Sequence, residues 1–211
     1  WESLRIVLRV PDTWLLGGYA FLLFGTMTMM QGLWAVPYLM DVHGLTQREA
    51  ANMLTLWAIG LIVGCTLWGY VADRVLKTRK GVICGGAVVY AFLWVLLGLE
   101  PERLPGAMLH IAMFWGGFFA STWIPAYALL KEAVPSRVTA TAMGTLNLFF
   151  WAGGAFYQQA SALFLESFPK QTGHIPATGY QMLFWICFAS VAVSITLVAR
   201  STERRAAVLS P

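Results

Sequence analysis

The sequence of 211 residues is short of charge. Lys, Arg, Asp and Glu make up 11% of it, against about 25% in an ordinary soluble domain, and its mean hydropathy is +0.66. A soluble globule needs more polar surface than this, so that class is excluded. Cysteine is also scarce, and Cys65, Cys84 and Cys187 all lie within apolar runs, which excludes a disulfide scaffold. The aromatic content of 14% excludes a disordered chain.

In place of charge the chain has long apolar intervals. Six of them contain no charged residue: 13–40, 50–72, 81–99, 104–130, 138–165 and 171–199. A helix needs about 20 mainly apolar residues to cross a bilayer, and backbone groups in lipid must be satisfied within the segment. We therefore predict an all-α integral membrane protein with one domain over 1–211. Its six spans are predicted at about 13–40, 48–72, 81–99, 105–130, 138–164 and 177–199.

The basic residues predict the orientation. Six spans place both ends of the chain on one side of the membrane, together with the loops 73–80 and 131–137. Eleven of the 14 Lys and Arg residues then fall on that side: Arg5, Arg9, Arg74, Lys77, Arg79, Lys80, Lys131, Arg137, Arg200, Arg204 and Arg205. By the positive-inside rule, both ends are predicted to be cytoplasmic, in the bacterial inner membrane. The net charge of +4 is thus a topology signal, and we predict no nucleic-acid partner.

The sharpest local pattern is GYVADRVLKTRK over residues 69–80. Asp73 is the only acid in this basic loop, and it is placed to cap helix N–H groups or to pair with Arg74 or Lys77. The stretch resembles the G-x-L-x-D-R-x-G-R-[RK] signature of the major facilitator superfamily. Gly69, Asp73, Arg74 and Lys77 match in register, whereas Leu76 stands where the family has its second glycine.

Other segments resemble the same family, over roughly residues 8–200. They are LRVPDTW at 8–14, WAVPYL at 34–39 and EAVP at 132–135. The resemblance implies the C-terminal half of a twelve-helix facilitator, built from two inverted three-helix repeats. Its partners would be the lipid bilayer, a small-molecule solute and the missing N-terminal six-helix half. The implied function is secondary active transport of a small polar organic solute by rocker-switch alternating access.

Within the resemblance, Gly69, Asp73, Arg74 and Lys77 form a gating loop that helps to hold the cytoplasmic face shut. The interior of the spans contains no Asp, Glu, Lys or Arg, so this half offers neither a carboxylate for proton coupling nor an arginine for an anion. The candidate solute contacts are polar or aromatic residues on two spans: Thr28, Gln31 and Trp34 on the first, and Asn147, Trp151 and Gln158 on the fifth. Helix-like spacing places each trio on one face. Hydrogen bonding between helices is the alternative role for each residue.

No catalytic residue, cofactor or metal site is predicted. The three histidines, His43, His110 and His174, lack the spacing of metal ligands. Ser121 and His110 share one span and lie eleven residues apart, so they cannot meet as a nucleophile and its base. The alternative function is a six-helix sensor or scaffold, or a facilitator-like domain fused to another protein, that does not transport.

Overall fold

The computed structural model describes residues 1–169 and 173–203. All the regular structure in these residues is helical, as the sequence predicts. Arg204 and Arg205, which entered the orientation argument, lie outside the described residues, as does Lys170.

The helices follow one another with short connections. They are α1 Glu2–Leu8, α2 Pro11–Met29, α3 Ala35–His43, α4 Gln47–Tyr70, α5 Arg79–Leu99, α6 Gly106–Ala120, α7 Ile124–Ala133, α8 Thr139–Glu166 and α9 Ala177–Arg200. A π-helical turn, Met30–Trp34, joins α2 to α3, and a second, Val71–Val75, extends α4. The 3₁₀ turn Ser121–Trp123 joins α6 to α7, so several of these helices form longer continuous stretches.

Local sequence explains where α3, α4 and α5 begin or end. Gly44 follows α3 in the left-handed conformation, with φ of 65°, which a glycine adopts without strain. Thr46 and Glu49 form a capping box at the start of α4. The hydroxyl of Thr78 accepts a hydrogen bond of 3.0 Å from the Gly81 N–H and caps α5.

Five helical stretches are long and apolar enough to cross a membrane: Pro11–His43, Gln47–Val75, Arg79–Leu99, Gly106–Ala133 and Ala177–Arg200. They coincide with five of the six predicted spans. The remaining predicted span, 138–164, coincides with α8, which has 28 residues. The apolar residues of this helix are interrupted by Asn147, Gln158 and Gln159, and its crossing of the membrane stays a prediction.

The long helices pack in three pairs: α2 with α8, α4 with α6, and α5 with α9. In the first pair the chains run parallel, because Gly17 faces Phe149 near one end and Trp34 bonds to Ser161 near the other. The α4–α6 pair is parallel as well. The α5–α9 pair is antiparallel, and large buried side chains fill the centre of the bundle, among them Tyr90, Trp94 and Phe184.

Glycines let the two parallel pairs approach closely. A Cβ on Gly153 of α8 would overlap the backbone of Phe21 in α2. On the other pair, Gly60 of α4 faces the Phe114 carbonyl of α6, and Gly117 of α6 faces the Trp57 carbonyl of α4. Backbone touches backbone at these points, as in small-residue contacts between membrane helices.

The start of α2, the start of α5 and the end of α9 lie at one end of the bundle, which we call the basic end. The Thr202 N–H donates to Asp12 Oδ1 at 2.8 Å, and Lys80 Nζ donates to the Ser201 carbonyl at 2.8 Å. The start of α2 and the end of α9 therefore lie on the side of the Asp73 turn. That this side is cytoplasmic stays a prediction.

Candidate functional site

A line of hydrogen bonds runs between α2 and α8, away from the basic end. The side-chain amide of Gln158 donates to the Thr28 carbonyl at 3.2 Å. The Thr28 hydroxyl donates back to the Phe24 carbonyl of its own helix at 2.9 Å. Both side chains are half-buried, so the fold brings two of the predicted solute contacts together at the edge of the helix pair.

Trp34 takes part in the same line through its indole nitrogen. Trp34 Nε1 donates to Ser161 Oγ at 2.7 Å, and Ser161 Oγ donates to the Gln158 carbonyl at 3.1 Å. The side chain of Trp34 is only 8% exposed, so its polar atom serves the contact between helices. Ser161 is absent from the residues chosen from the sequence, although it follows Gln158 by one helical turn on the same face.

Asn147 and Trp151 lie nearer the basic end. At about 1.5 Å per residue, Asn147 is roughly 16 Å along α8 from Gln158. Asn147 Oδ1 accepts a hydrogen bond of 3.0 Å from the Tyr127 hydroxyl of α7. The predicted contacts on α8 therefore form two groups along one helix. Gln31 is half-buried in the π turn that follows α2, and its side chain makes no hydrogen bond within the described ranges.

Aromatic rings pack around the group nearer the basic end. Trp151 is 63% exposed, and its ring centroid lies 5.5 Å from that of Phe24. Behind them, Trp123 packs edge-on against Phe24 at 5.6 Å and against Phe150 at 5.2 Å. Trp123 comes from the 3₁₀ turn between α6 and α7, and Tyr127 comes from α7 itself, so spacing along one helix does not predict their contacts with α8.

At the basic end, Asp73 pairs with Arg79. Arg79 Nε donates to Asp73 Oδ1 at 3.0 Å, and the same guanidinium bonds to Glu132 at the end of α7. This differs from the expected pairing with Arg74 or Lys77, because the turn at 76–78 folds α5 back beside the Asp73 carboxylate. Neither Arg74 nor Lys77 has an acidic partner among residues 1–169 and 173–203.

The turn also explains the departure at Leu76. Leu76 has an ordinary φ of −87°, whereas Lys77 has a φ of 51°, in the left-handed region that favours glycine. The strained position is thus one residue further on than the glycine of the family signature. A Cβ on Gly69 would meet open space, so packing does not require glycine there.

Glu203 closes the same end from the other side of the bundle. Its carboxylate accepts hydrogen bonds from the Thr78 hydroxyl at 2.8 Å and from the Arg79 and Lys80 N–H groups at 2.6 and 3.3 Å. Partial burial disfavours its charge, but these hydrogen bonds and the Lys80 charge outweigh burial, so the pKa of Glu203 lies below its usual value. A negative charge there also complements the dipole of α5.

We expect this contact to make stability depend on pH. Because the pKa of Glu203 is lower in the folded than in the unfolded chain, its contribution to stability is fully present above the unfolded-state pKa and is lost as pH falls through the folded-state pKa. Melting temperatures measured between pH 7 and pH 3.5 test this. Glu203→Gln should lower the melting temperature at pH 7 and flatten the acid-induced drop. The exposed Glu102 at the opposite end is the control, and an equal flattening in Glu102→Gln would refute the assignment.

The opposite end is held by Asp41 at the end of α3. Asp41 Oδ1 lies 2.7 Å from His174 Nδ1, and Asp41 Oδ2 accepts 2.8 Å and 3.3 Å hydrogen bonds from the Tyr180 hydroxyl and the Ile175 N–H. Across residues 1–169 and 173–203, no group of three His, Cys, Asp or Glu side chains is placed to hold a metal. The contacts of Asp41 with His174, Ile175 and Tyr180 join the end of α3 to the start of α9 and to the segment just before it.

A bundle of helices long and apolar enough to cross a bilayer, with amides, hydroxyls and aromatic rings between them, is typical of an integral membrane protein. The chain belongs to the major facilitator superfamily, whose family model matches residues 3–210. The family predicted from the sequence is thereby confirmed.

Two curated transporters are similar to parts of the chain. It is 28% identical over 131 residues to the D-galactonate transporter of Escherichia coli O6:H1, which covers 57% of this chain and 29% of that protein. It is 26% identical over 179 residues to the glycerol-3-phosphate transporter of Bacillus subtilis, covering 82% of this chain and 38% of that protein. The chain thus spans well under half the length of these relatives.

Proposed function

We propose that this chain is the C-terminal six-helix half of a facilitator that moves a small polar organic solute by rocker-switch alternating access. The observation that carries the proposal is the line of hydrogen bonds between α2 and α8. Amides at membrane depth are costly unless they are paired or functional. Gln158, half-buried and bonded on one side to Thr28, has a second N–H and a carbonyl oxygen for a solute.

The direction of α8 supports a sixth crossing. It runs parallel to α2 from Gly17 and Phe149 to Trp34 and Ser161, and α2 belongs to a stretch apolar enough to cross the bilayer. A helix that accompanies α2 over this length passes through the same depth. The polar residues that make α8 less apolar than its neighbours suit a helix that borders an aqueous cavity.

The helix pairing supports two inverted repeats. An inverted repeat relates spans 1, 2 and 3 to spans 4, 5 and 6, in that order. The pair formed by spans 1 and 5 then corresponds to the pair formed by spans 4 and 2. The pair formed by spans 3 and 6 corresponds to itself. The observed pairs, α2 with α8, α4 with α6 and α5 with α9, have this relation. Inverted three-helix repeats are a general device of secondary transporters.

We propose further that the solute carries hydroxyl groups. The two relatives are named for galactonate and glycerol-3-phosphate, which are hydroxylated anions. This half has amides but no charged residue in the interior of its spans, so Gln31, Gln158 and Asn147 would contact hydroxyl groups while Trp151 covers an apolar face of the solute. The anionic group would be bound outside this half.

At the basic end, Gly69, Asp73, Arg74 and Lys77 stay proposed as the gating loop, with the basic end facing the cytoplasm. Arg79, at the start of α5, pairs with Asp73 in the turn after α4 and with Glu132 at the end of α7. These ion pairs link three segments at the basic end. They must break when this end opens, so they favour the closed conformation over the open one.

Thermal stabilisation by an added ligand tests the proposal. The sample is the full-length protein that contains this six-helix half, which we call the full chain. The probes are D-galactonate, glycerol-3-phosphate, glucose and an amino acid. We expect a hydroxylated anion to raise the melting temperature, and Gln158→Leu to reduce that rise at least fivefold. Gln159→Leu, an exposed neighbour on the same helix, is the matched control and should keep the rise.

Two results would count against the proposal. No rise with any probe contradicts binding of this solute class, and equal losses in both variants remove Gln158 from the site. Uptake into proteoliposomes separates transport from the alternative. A rise in melting temperature without uptake by the full chain would favour the sensor or scaffold.

A further inference from the structure

The short helix α1 is fixed against the bundle at the basic end. Val7 is fully buried, and α1 contacts the start of α8 and the 3₁₀ turn Ser136–Val138. Its last carbonyls are bonded by α2: the Thr13 hydroxyl donates to the Val7 carbonyl at 2.8 Å, and Trp14 Nε1 donates to the Leu8 carbonyl at 2.9 Å. The orientation of α1 is therefore set where the first span begins.

The side of α1 next to the buried Val7 and turned to the exterior is both apolar and basic. Leu4, Arg5, Leu8 and Arg9 line one shallow cleft there, together with Trp1 and Glu2. Spacings of four place Leu4 with Leu8, and Arg5 with Arg9. Trp14, at the start of the first span, is 55% exposed beside it. Leucines and arginines on one helix face, next to an exposed indole at a span end, are typical of a helix that lies in the membrane interface.

The charge at this end is left largely uncompensated by the protein itself. Four of its acids are already bonded within the chain: Asp12 to the Thr202 N–H, Asp73 and Glu132 to Arg79, and Glu203 to the start of α5. Arg5 and Arg9 have no acidic partner in the part of the chain that the structure describes, nor has Arg137 in the turn that α1 contacts. Glu2 is the one acid on α1 itself.

We propose that this face of α1, with Trp14, binds the headgroups of acidic phospholipids. The two guanidinium groups pair with lipid phosphates, for which arginine has matching donor geometry, while Leu4, Leu8 and the Trp14 ring lie among the glycerol and upper acyl groups. A soluble anion would use only the arginines, whereas a lipid uses the apolar residues as well. The combination of both on one fixed face favours the lipid.

The test uses the full chain purified in a neutral detergent. Melting temperatures are measured while dioleoylphosphatidylglycerol or dioleoylphosphatidylcholine is added. We expect the acidic lipid to raise the melting temperature more than the zwitterionic one. The double variant Arg5→Gln, Arg9→Gln should lose at least half of that difference. Arg48→Gln, Arg103→Gln, which removes two exposed arginines at the opposite end, is the matched control and should keep it.

Three results would overturn the proposal. One is an equal effect of the two lipids, and another is a full lipid response in the Arg5/Arg9 double variant, which would leave these arginines for a protein contact. The third is an equal, Arg5- and Arg9-dependent rise with soluble glycerol-3-phosphate that Leu8→Gln leaves unchanged, because it would assign the site to a soluble anion. For a lipid, Leu8→Gln should weaken the phosphatidylglycerol response.

Discussion

Gly153→Ala is expected to lower the stability of the protein more than any other exchange of a glycine for alanine in α8. Its Cβ would overlap the Phe21 backbone of α2, and backbone cannot turn aside as a flexible side chain can. The two helices must separate, and the packing lost along their length costs about 1–3 kcal/mol, in the range of overpacked cores. We expect a melting temperature several degrees lower in detergent and a smaller folded yield.

Gly144→Ala is the matched control in the same helix. A Cβ on Gly144 meets nothing within 4 Å, and alanine is a better helix former than glycine by up to about 1 kcal/mol. This variant should be as stable as the parent or more so. Equal melting temperatures for Gly144→Ala and Gly153→Ala would mean that α2 and α8 do not touch at Gly153, and the parallel helix pair would then be wrong.

Much of the fold is predictable because lipid sets a simple requirement. Any interval of about 20 residues without charge is a candidate span, and five such intervals coincide with helical stretches that satisfy length and apolarity. The ends are less predictable, since helices continue past the last apolar residue until a capping signal stops them. Thus the first stretch runs to His43, beyond the predicted residue 40, and ends before Gly44 in its left-handed conformation.

The candidate site was harder to predict because π turns change which residues share a face. Spacings of three place Thr28, Gln31 and Trp34 together on a regular helix, but the π turn Met30–Trp34 adds a residue and rotates the helix beyond it. Trp34 is consequently buried against Ser161. Asp73 lies in the second π turn, Val71–Val75. Turns of this kind are frequent at functional segments, and no single residue type in the sequence marks them.

The partner of Asp73 was missed for a related reason. Arg79 is six residues beyond Asp73, outside the range of contacts within one helix, and it returns to the carboxylate only because the chain reverses at Lys77. Glu132, the second acid at the same guanidinium, is contributed by α7. Such a contact depends on how α5 and α7 pack, which charge patterning does not specify.

Arg79→Gln is expected to slow uptake about tenfold in proteoliposomes containing the full chain, without loss of folded protein. The variant leaves the Asp73 and Glu132 carboxylates without their shared cation. Half-exposed ion pairs contribute up to about 1 kcal/mol each, and about 1.4 kcal/mol corresponds to a factor of ten in an equilibrium constant. If the proposed gate closes through these contacts, losing both shifts the closed state by about that factor. Asp73→Ala should impair uptake less, because only one of the two pairs is lost.

Arg137→Gln separates a specific contact from a general loss of positive charge. Arg137 is exposed in the turn before α8 at the basic end. It has no acidic partner in the described part of the structure, so its removal changes the net charge equally without breaking an ion pair. Uptake by this variant should stay within about twofold of the parent. An equal loss in Arg137→Gln and Arg79→Gln would show that the basic end acts through its overall charge, and a normal rate in Arg79→Gln would remove the Asp73–Arg79–Glu132 contact from the gate.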